Sequence, residues 1–280
     1  MRRVRIVTDS TAEIPKTLVD ELGITVIPMY VHIGSETFRD GVEIDSAEFY
    51  RRLSKGPINP TTSPPTKDEF RQQYDRLSRE TNGIVSIHIS SKLSRTLEMA
   101  DQAAEHFLGT TRVVTIDSLQ ASWGLGLLVV EAARKAAAGD GLDEIVRYVR
   151  GLIPKIYLVL FVNTLEYLRR GGRIGKARAL VGGLLSTRPV LVLEDGEIMP
   201  LSKARSRGRA IDRLLEFVVE FPRIESITVV QGRATPESQE LLMRLNEIFP
   251  EKEIDLRTFG PALATHLGPD SVGVVVYEGA

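Results

Sequence analysis

The chain has 280 residues, 42% hydrophobic and 26% charged, a composition of folded globular proteins and a length that suits one large or two ordinary domains. Its formal net charge of −1 excludes a protein that holds nucleic acid through overall charge, and the lack of cysteine excludes disulfides and thiolate metal sites. The histidines are His32, His88, His106 and His266, none at H-x-x-x-H spacing, so no zinc site is expected.

The first residues are basic but lead into no long apolar segment, so 1–11 reads as a strand and not as a signal peptide. The most continuous apolar run, 157–162, is far too short to span a bilayer, and cytoplasmic residence is the expectation. Val4, Ile6 and Val7 predict that first strand, ending at 8–11. Ser10 and Glu13 have the spacing of a capping box, with Pro15 in the first turn of the helix they would start. Leu18, Val19 and Leu22 share a helical face, and Gly23 closes it. Residues 24–31 read as a second strand.

The stretch 32–60 breaks this rhythm with three glycines and one amphipathic piece over 47–53. It predicts an excursion on the sheet rim, either a cover over a site or a surface elaboration. Pro60, Pro64 and Pro65 then stiffen a loop that carries the hydroxyls of Thr61, Thr62 and Ser63. Thr66, with Glu69 three residues on, predicts the start of a helix bearing Phe70, Tyr74 and Leu77.

The most informative stretch is 84–96. Ile84, Val85, Ile87 and Ile89 have the composition of a buried strand, and Ser90, Ser91 and Ser94 lead from it into a helix over about 94–107. Hydroxyls at the carboxyl edge of a sheet stand where α/β proteins place ligands. A helix start with Ser94 as its N-cap suits an anion such as a carboxylate; the plainer reading is that these serines only cap the helix. Val113, Val114 and Ile116 predict another strand, ending in Asp117 and Ser118. Leu125, Leu128, Val129 and Ala132 predict a long helix up to the turn at 139–141, and Ile145, Tyr148, Val149 and Leu152 a further one. Strands alternating with helices predict a parallel, Rossmann-like sheet, with the hydroxyls of 10–11, 90–91 and 118 along one edge.

A boundary falls near 151–155, giving an α/β domain over 1–153, with the rim insertion at about 32–60, and an α+β domain over 154–280. In the second part, 157–162 reads as a strand, 164–168 as a short helix and 177–185 as helical. Two apolar runs, 190–193 and 198–201, flank Asp195-Gly196, a hairpin signal. Helices with Ile211, Leu215 and Val218 and with Leu241, Leu245 and Ile248 alternate with strands at 227–230, 254–259 and 272–277. A hairpin among alternating elements predicts a mixed sheet.

Two features carry candidate chemistry here. Arg169, Arg170, Arg173, Lys176 and Arg178 form a basic glycine loop, and Lys203, Arg205, Arg207 and Arg209 a second basic stretch; both adjoin the hairpin strands. Arginine suits phosphate and carboxylate through paired N–H donors, whereas most surface cations only face solvent. Arg173 is the candidate of choice, since neighbouring glycines bring the backbone close. The loop lacks G-x-x-x-x-G-K-[ST], and the lone G-x-G at 124–126 carries no weight. His266, among glycine and proline before the last strand, reads as a loop histidine suited to an anion or a proton. Ser94 with His266 raises the alternative of a serine hydrolase acting on acyl substrates, although no G-x-S-x-G elbow is present.

Taken in order, 7–11 (VTDST), Thr62-Ser63, 89–94 (ISSKLS), 171–174 (GGRI), 203–205 (KAR) and 266–269 (HLGP) resemble the DegV family of bacterial fatty-acid-binding proteins, the lipid-presenting subunits of fatty acid kinase. The resemblance covers nearly the whole chain. It implies two α/β units with a long-chain fatty acid such as palmitate between them, its carboxylate bonded by Thr62 and Ser94. It also implies that Arg173, Arg205 and His266 lie near that headgroup and assist phosphoryl transfer. The resemblance further implies that a separate kinase subunit brings ATP, so that this chain is non-catalytic, holds no cofactor of its own and serves phospholipid metabolism. Pro64, Arg95 and Asp270 depart from the family pattern, and Arg95 in particular could alter the headgroup pocket.

Overall fold

The structure is a computed structural model that describes residues 3–56, 58–107, 111–180 and 188–279. In chain order the first half forms β1 (Arg5–Asp9), a 3-10 turn (Ser10–Ala12), α1 (Lys16–Leu22), β2 (Thr25–Ile27), β3 (Tyr30–Ile33), β4 (Glu36–Arg39) and α2 (Ser46–Ser54). β5 (Thr61–Ser63), α3 (Lys67–Ser78), β6 (Gly83–His88), α4 (Thr96–Ala104), β7 (Arg112–Asp117), α5 (Ser122–Ala138) and α6 (Leu142–Leu152) follow. The second half holds β8 (Ile156–Phe161), α7 (Glu166–Arg170), a 3-10 segment (Gly175–Leu180), β9 (Arg188–Glu194), β10 (Glu197–Ala204) and α8 (Arg207–Val219). β11 (Ser226–Gln231), α9 (Pro236–Ile248), β12 (Asp255–Thr258), α10 (Pro261–Leu267) and β13 (Val272–Tyr277) complete it.

The described strands make three sheets: a parallel one ordered β2-β1-β6-β7, a mixed one ordered β10-β9-β8-β13-β11-β12, and a small antiparallel rim sheet ordered β4-β3-β5. The α/β class, the parallel first sheet and the mixed second sheet are as expected. The expected strand over 24–31 divides in two: β2 joins the parallel sheet, while β3 turns away into the rim sheet. The stretch with Thr62 is not a free loop but β5, paired antiparallel to β3 with Val31 opposite Thr62. Pro60 and Pro64 flank this three-residue strand and fit its edge position, since neither could donate to a ladder.

The capping box expected at Ser10 and Glu13 is absent. Asp9 caps the 3-10 turn instead, Glu13 closes it in left-handed backbone (φ 52°), and α1 starts only at Lys16. The box at Thr66 and Glu69 is present, and Gly23 closes α1 at φ 66°. The expected helix over 177–185 is a 3-10 segment up to Leu180, and its remainder lies outside the described residues.

Alternation along β8 and β9 sorts the second sheet into two faces. Val159, Phe161 and Val190 pack with α8 and α9 through Ile211, Leu215 and Leu241. Leu158, Leu160, Leu191 and Leu193 face the other way, into a core continuous with Ile87, Leu125, Leu128 and Val129 of the first half. A separate cluster joins α3 and α4 to the opposite face of the parallel sheet through Phe70, Tyr74, Leu77 and Ala100. The parallel sheet and the mixed sheet thus face one another through a shared apolar layer, and the site lies in that layer.

Candidate functional site

Between the sheets lies a narrow cavity lined from both halves of the chain. Its walls are apolar for most of its extent: Leu158, Leu160, Leu191, Leu193 and Ile198 from the mixed sheet, Leu168 from α7, Ala262, Leu263 and Leu267 from α10, and Met29, Ile89 and Ala121 from the first half. Polar side chains in the lining are Thr11, Thr62, Ser94, Ser122, Arg173 and His266.

Four of the five expected site residues therefore share one cavity. Thr62 Oγ1 lies 2.8 Å from His266 Nε2. Ser94 is buried, its Oγ 2.8 Å from Thr96 Oγ1, and it accepts from the Thr96 backbone N–H. The N-cap of α4 is Arg95, which makes no side-chain cap bond, so Ser94 stands one residue before the expected cap position, bonds the first helical N–H and also lines the cavity. Arg173 donates from Nε to the Leu93 carbonyl (2.9 Å) and from a terminal nitrogen to the Gly171 carbonyl (2.6 Å), which hold its guanidinium beside Ser94's loop. Arg205 is the exception. It follows β10, the edge strand of the mixed sheet, on the exposed surface and does not line the cavity.

His266 is on α10, not in a loop. Burial is the main reason its ring is held in the neutral form, with a pKa lowered from 6.5 to about 4, and the Arg173 charge adds to this. Its Nδ1 is enclosed without a hydrogen-bond partner. The paired glycines serve this ring more than they serve Arg173. A Cβ on Gly171 would sit 2.0 Å from His266 Nδ1, and Gly172 takes φ 70°, a conformation that side chains resist. Gly126 of the discounted G-x-G has a similar function, since a Cβ there would lie 2.4 Å from the Ala12 carbonyl oxygen and push the 3-10 turn off α5.

The other strand-end hydroxyls are engaged elsewhere. Ser90 donates to the Gly196 carbonyl at the hairpin tip (2.7 Å), Ser91 pairs with Asp117, and Ser118 and Gln120 bond one another. Thr11 lines the cavity, and Asp9 accepts from both its backbone N–H and its hydroxyl. Asp9 also accepts from the Ile89 N–H (3.1 Å) and contacts His88 Nδ1 (2.9 Å), whose Nε2 meets Ser86 (2.7 Å). This chain of bonds is fully buried and ties β1 to β6.

Arg95 stays outside the pocket, 71% exposed and paired to Glu98 through two bonds. Asp270 binds Arg233 (2.8 Å) and lies 3.9 Å from Arg207. Arg169 and Arg170 pair with Glu166, and Arg209 with Asp212, so these cations are solvated surface pairs. Sequence reasoning missed Ser122, Met29 and the leucines of β8 and β9. The period-2 alternation of those strands marked one face, but not what that face looks onto.

An α/β protein with an apolar cavity between its two larger sheets, bordered by two hydroxyls, an arginine and a neutral histidine, is built to enclose a long apolar molecule with a polar head. The chain belongs to the DegV family, described as "Uncharacterised protein, DegV family", which it matches over residues 3–279. A DegV domain-containing protein of Streptomyces coelicolor is 36% identical over 280 residues, 98% of each chain. A DegV family protein from Thermus thermophilus, described for its fatty acid binding, is 32% identical with a TM-score of 0.90 over 99% of both chains. The structure of DegV from Bacillus subtilis, described as a fatty acid binding protein, is 29% identical with a TM-score of 0.91 over 99% of this chain and 100% of that one.

Proposed function

We propose that this protein binds a long-chain fatty acid, with the tail in the cavity and the carboxylate at Thr62, Ser94, His266 and Arg173. The observation that carries this reading is the cavity itself, apolar along its length with its hydrogen-bonding groups collected from separate segments. A carboxylate leaving water needs donors or a cation, which the two hydroxyls and Arg173 supply. Each buried methylene contributes about 0.8 kcal/mol, so a long tail contributes roughly 10 kcal/mol before binding costs. The two structural relatives described as fatty acid binding proteins support the same reading.

In this reading the chain presents its carboxylate to a separate kinase for acyl-phosphate formation, and performs no chemistry itself. Residues 1–153 and 154–280 act as two units with the ligand between them. Arg205, outside the cavity, then serves the partner's side of the reaction and not ligand binding. Among the described residues no helix is long and apolar enough to cross a membrane, in keeping with a carrier that works in the cytoplasm.

The hydrolase alternative is less well supported. Ser94 bonds Thr96 and His266 bonds Thr62, so the pair lacks the nucleophile–base hydrogen bond, and no carboxylate orients His266 Nδ1. Mass spectrometry of organic extracts from purified protein tests the main reading. The expected result is a bound acyl chain; extracts without one, together with no uptake of added palmitate, would overturn it. Covalent labelling of Ser94 by a fluorophosphonate would favour the hydrolase.

A further inference from the structure

Helix α10 contributes His266, Ala262, Leu263 and Leu267 to the cavity, and it has seven residues. So short a helix does not hold its own position. Two carboxylates from the first half reach its start. Glu13 Oε1 accepts from the Gly260 N–H at 2.6 Å, and Asp40 Oδ1 accepts from the Ala262 N–H at 3.4 Å. Each also reaches a second wall. Glu13 Oε2 accepts from the hydroxyl of Ser122, which lines the cavity. Asp40 Oδ2 accepts from the Ser10 hydroxyl at 2.6 Å, and Ser10 Oγ accepts from the N–H of Met29, another lining residue.

We infer that Glu13 and Asp40 are positioning residues of the ligand site, gripping the start of α10 so that His266 meets Thr62 and the helix closes the cavity. The inference rests on the proposed lipid-binding function. The arrangement is costly. Two carboxylates are enclosed near one Gly260, neither with a cation at hydrogen-bond distance, and both Glu13 and Ser122 have left-handed backbone (φ 52° and 54°). Apolar packing would hold a helix at lower cost, and strain of this kind persists where the surroundings enforce it. What the carboxylates provide is direction: each bonds a particular N–H of α10 and a particular hydroxyl below it, fixing the helix along its axis as apolar contact does not.

The groups facing Glu13 are Asp40, Tyr50 and Arg257, and Asp9 faces Asp40. Burial chiefly raises both acids, Glu13 to about 8 and Asp40 to about 6. Enclosure therefore becomes less favourable as Glu13 ionises, which favours opening of the grip above neutrality although both its bonds come from donors.

The test uses the full chain as wild type, Glu13→Ala and Glu13→Gln. It follows the His266 ring titration by NMR and the release rate of bound palmitate. Glutamine keeps an acceptor for Gly260 and puts an NH2 that can donate to the Ser122 hydroxyl where Glu13 accepts from it, and alanine keeps neither. With Glu13→Ala, the His266 midpoint is expected to rise from about 4 toward 6.5. Palmitate release is expected to quicken about tenfold, the equivalent of one lost hydrogen bond. Glu13→Gln should keep both properties near wild type. A Glu13→Ala protein that titrates and releases like wild type would overturn the inference. Should that variant fail to fold, Glu13→Gln decides. Wild-type release should quicken between about pH 7 and about pH 9, above the range in which Asp40 titrates, while the Gln variant stays nearly flat, and equal slopes would overturn the inference. If wild type takes up no palmitate, it is the binding function that fails, and the His266 titration still judges the positioning.

Discussion

Thr62 Oγ1 and His266 Nε2 meet at 2.8 Å across 204 positions of sequence. One group comes from the last strand of the rim sheet and the other from the helix before the final strand. The contact therefore reports how the rim excursion and the end of the chain are docked. In either tautomer of His266 one of the two groups donates to the other, and the hydroxyl keeps spare capacity toward the cavity. Thr62→Ala with Ser94→Ala should lower acyl occupancy about tenfold or more, while the fold loses little, because both hydroxyls border existing space. Quantifying lipid in extracts from equal amounts of folded protein checks this.

Gly171 is packed under the imidazole. Gly171→Ala should push His266 out of place, at a cost of about 1–3 kcal/mol typical of overpacking, and should reduce palmitate uptake. Gly172→Ala meets no atom within 4 Å, so only its φ of 70° opposes it. The cost there should be about 1 kcal/mol, with uptake retained. Thermal unfolding and uptake assays on both variants separate these two outcomes.

His266 should stay neutral at physiological pH. Its folded pKa of about 4 lies below its ordinary 6.5, so the folded state disfavours the protonated ring. Its contribution to stability is fully present above pH 6.5 and is lost as pH falls toward about 4, by roughly 3 kcal/mol at most. His266→Gln should remove that acid-side loss. Denaturant unfolding at about pH 7 and about pH 4.5 measures the difference.

Glu13 acts in the opposite sense. Its folded pKa of about 8 lies above the ordinary 4.5, so its contribution to stability is complete below pH 4.5 and is lost as pH rises toward 8. The residue keeps partial exposure, but its carboxylate is enclosed. The expected loss between pH 4.5 and neutrality is up to roughly 3 kcal/mol. Glu13→Gln should therefore be more stable than wild type at about pH 8 and nearly equal to it at about pH 4.5. A Gln variant less stable at both would contradict this.

The cavity wall offers a steric test. Leu160 and Leu193 project into it from adjacent strands β8 and β9. Leu193→Trp should shorten the longest acyl chain accepted and leave short chains unaffected, as competition with saturated fatty acids of graded length would show. Overpacking should cost about 1–3 kcal/mol in stability.

Much of this molecule was legible in the residues alone. The β-branched run before Ser90, the cap at Thr66, the Asp195-Gly196 hairpin and the alternation of helices with strands are local signals, set by side-chain periodicity and turn chemistry within a few positions. The hydroxyls, the arginine and the histidine at the cavity were legible as types. Partnership was not, because a hydrogen bond between distant segments leaves no mark on the spacing of either. Glu13 shows this most clearly. Its spacing from Ser10 fits a capping box, yet its carboxylate bonds a backbone N–H 247 positions away, since the 3-10 turn closes early and aims it between the sheets. Arg205 shows the converse, a cation expected near the headgroup that stands exposed beyond the end of β10 and outside the cavity lining. Sequence determined the elements and the chemistry on offer. Only packing decided that the leucine faces of β8 and β9 border an empty space and that Thr62, Ser94, Arg173 and His266 close it, because that depends on how two separately formed sheets come to face each other.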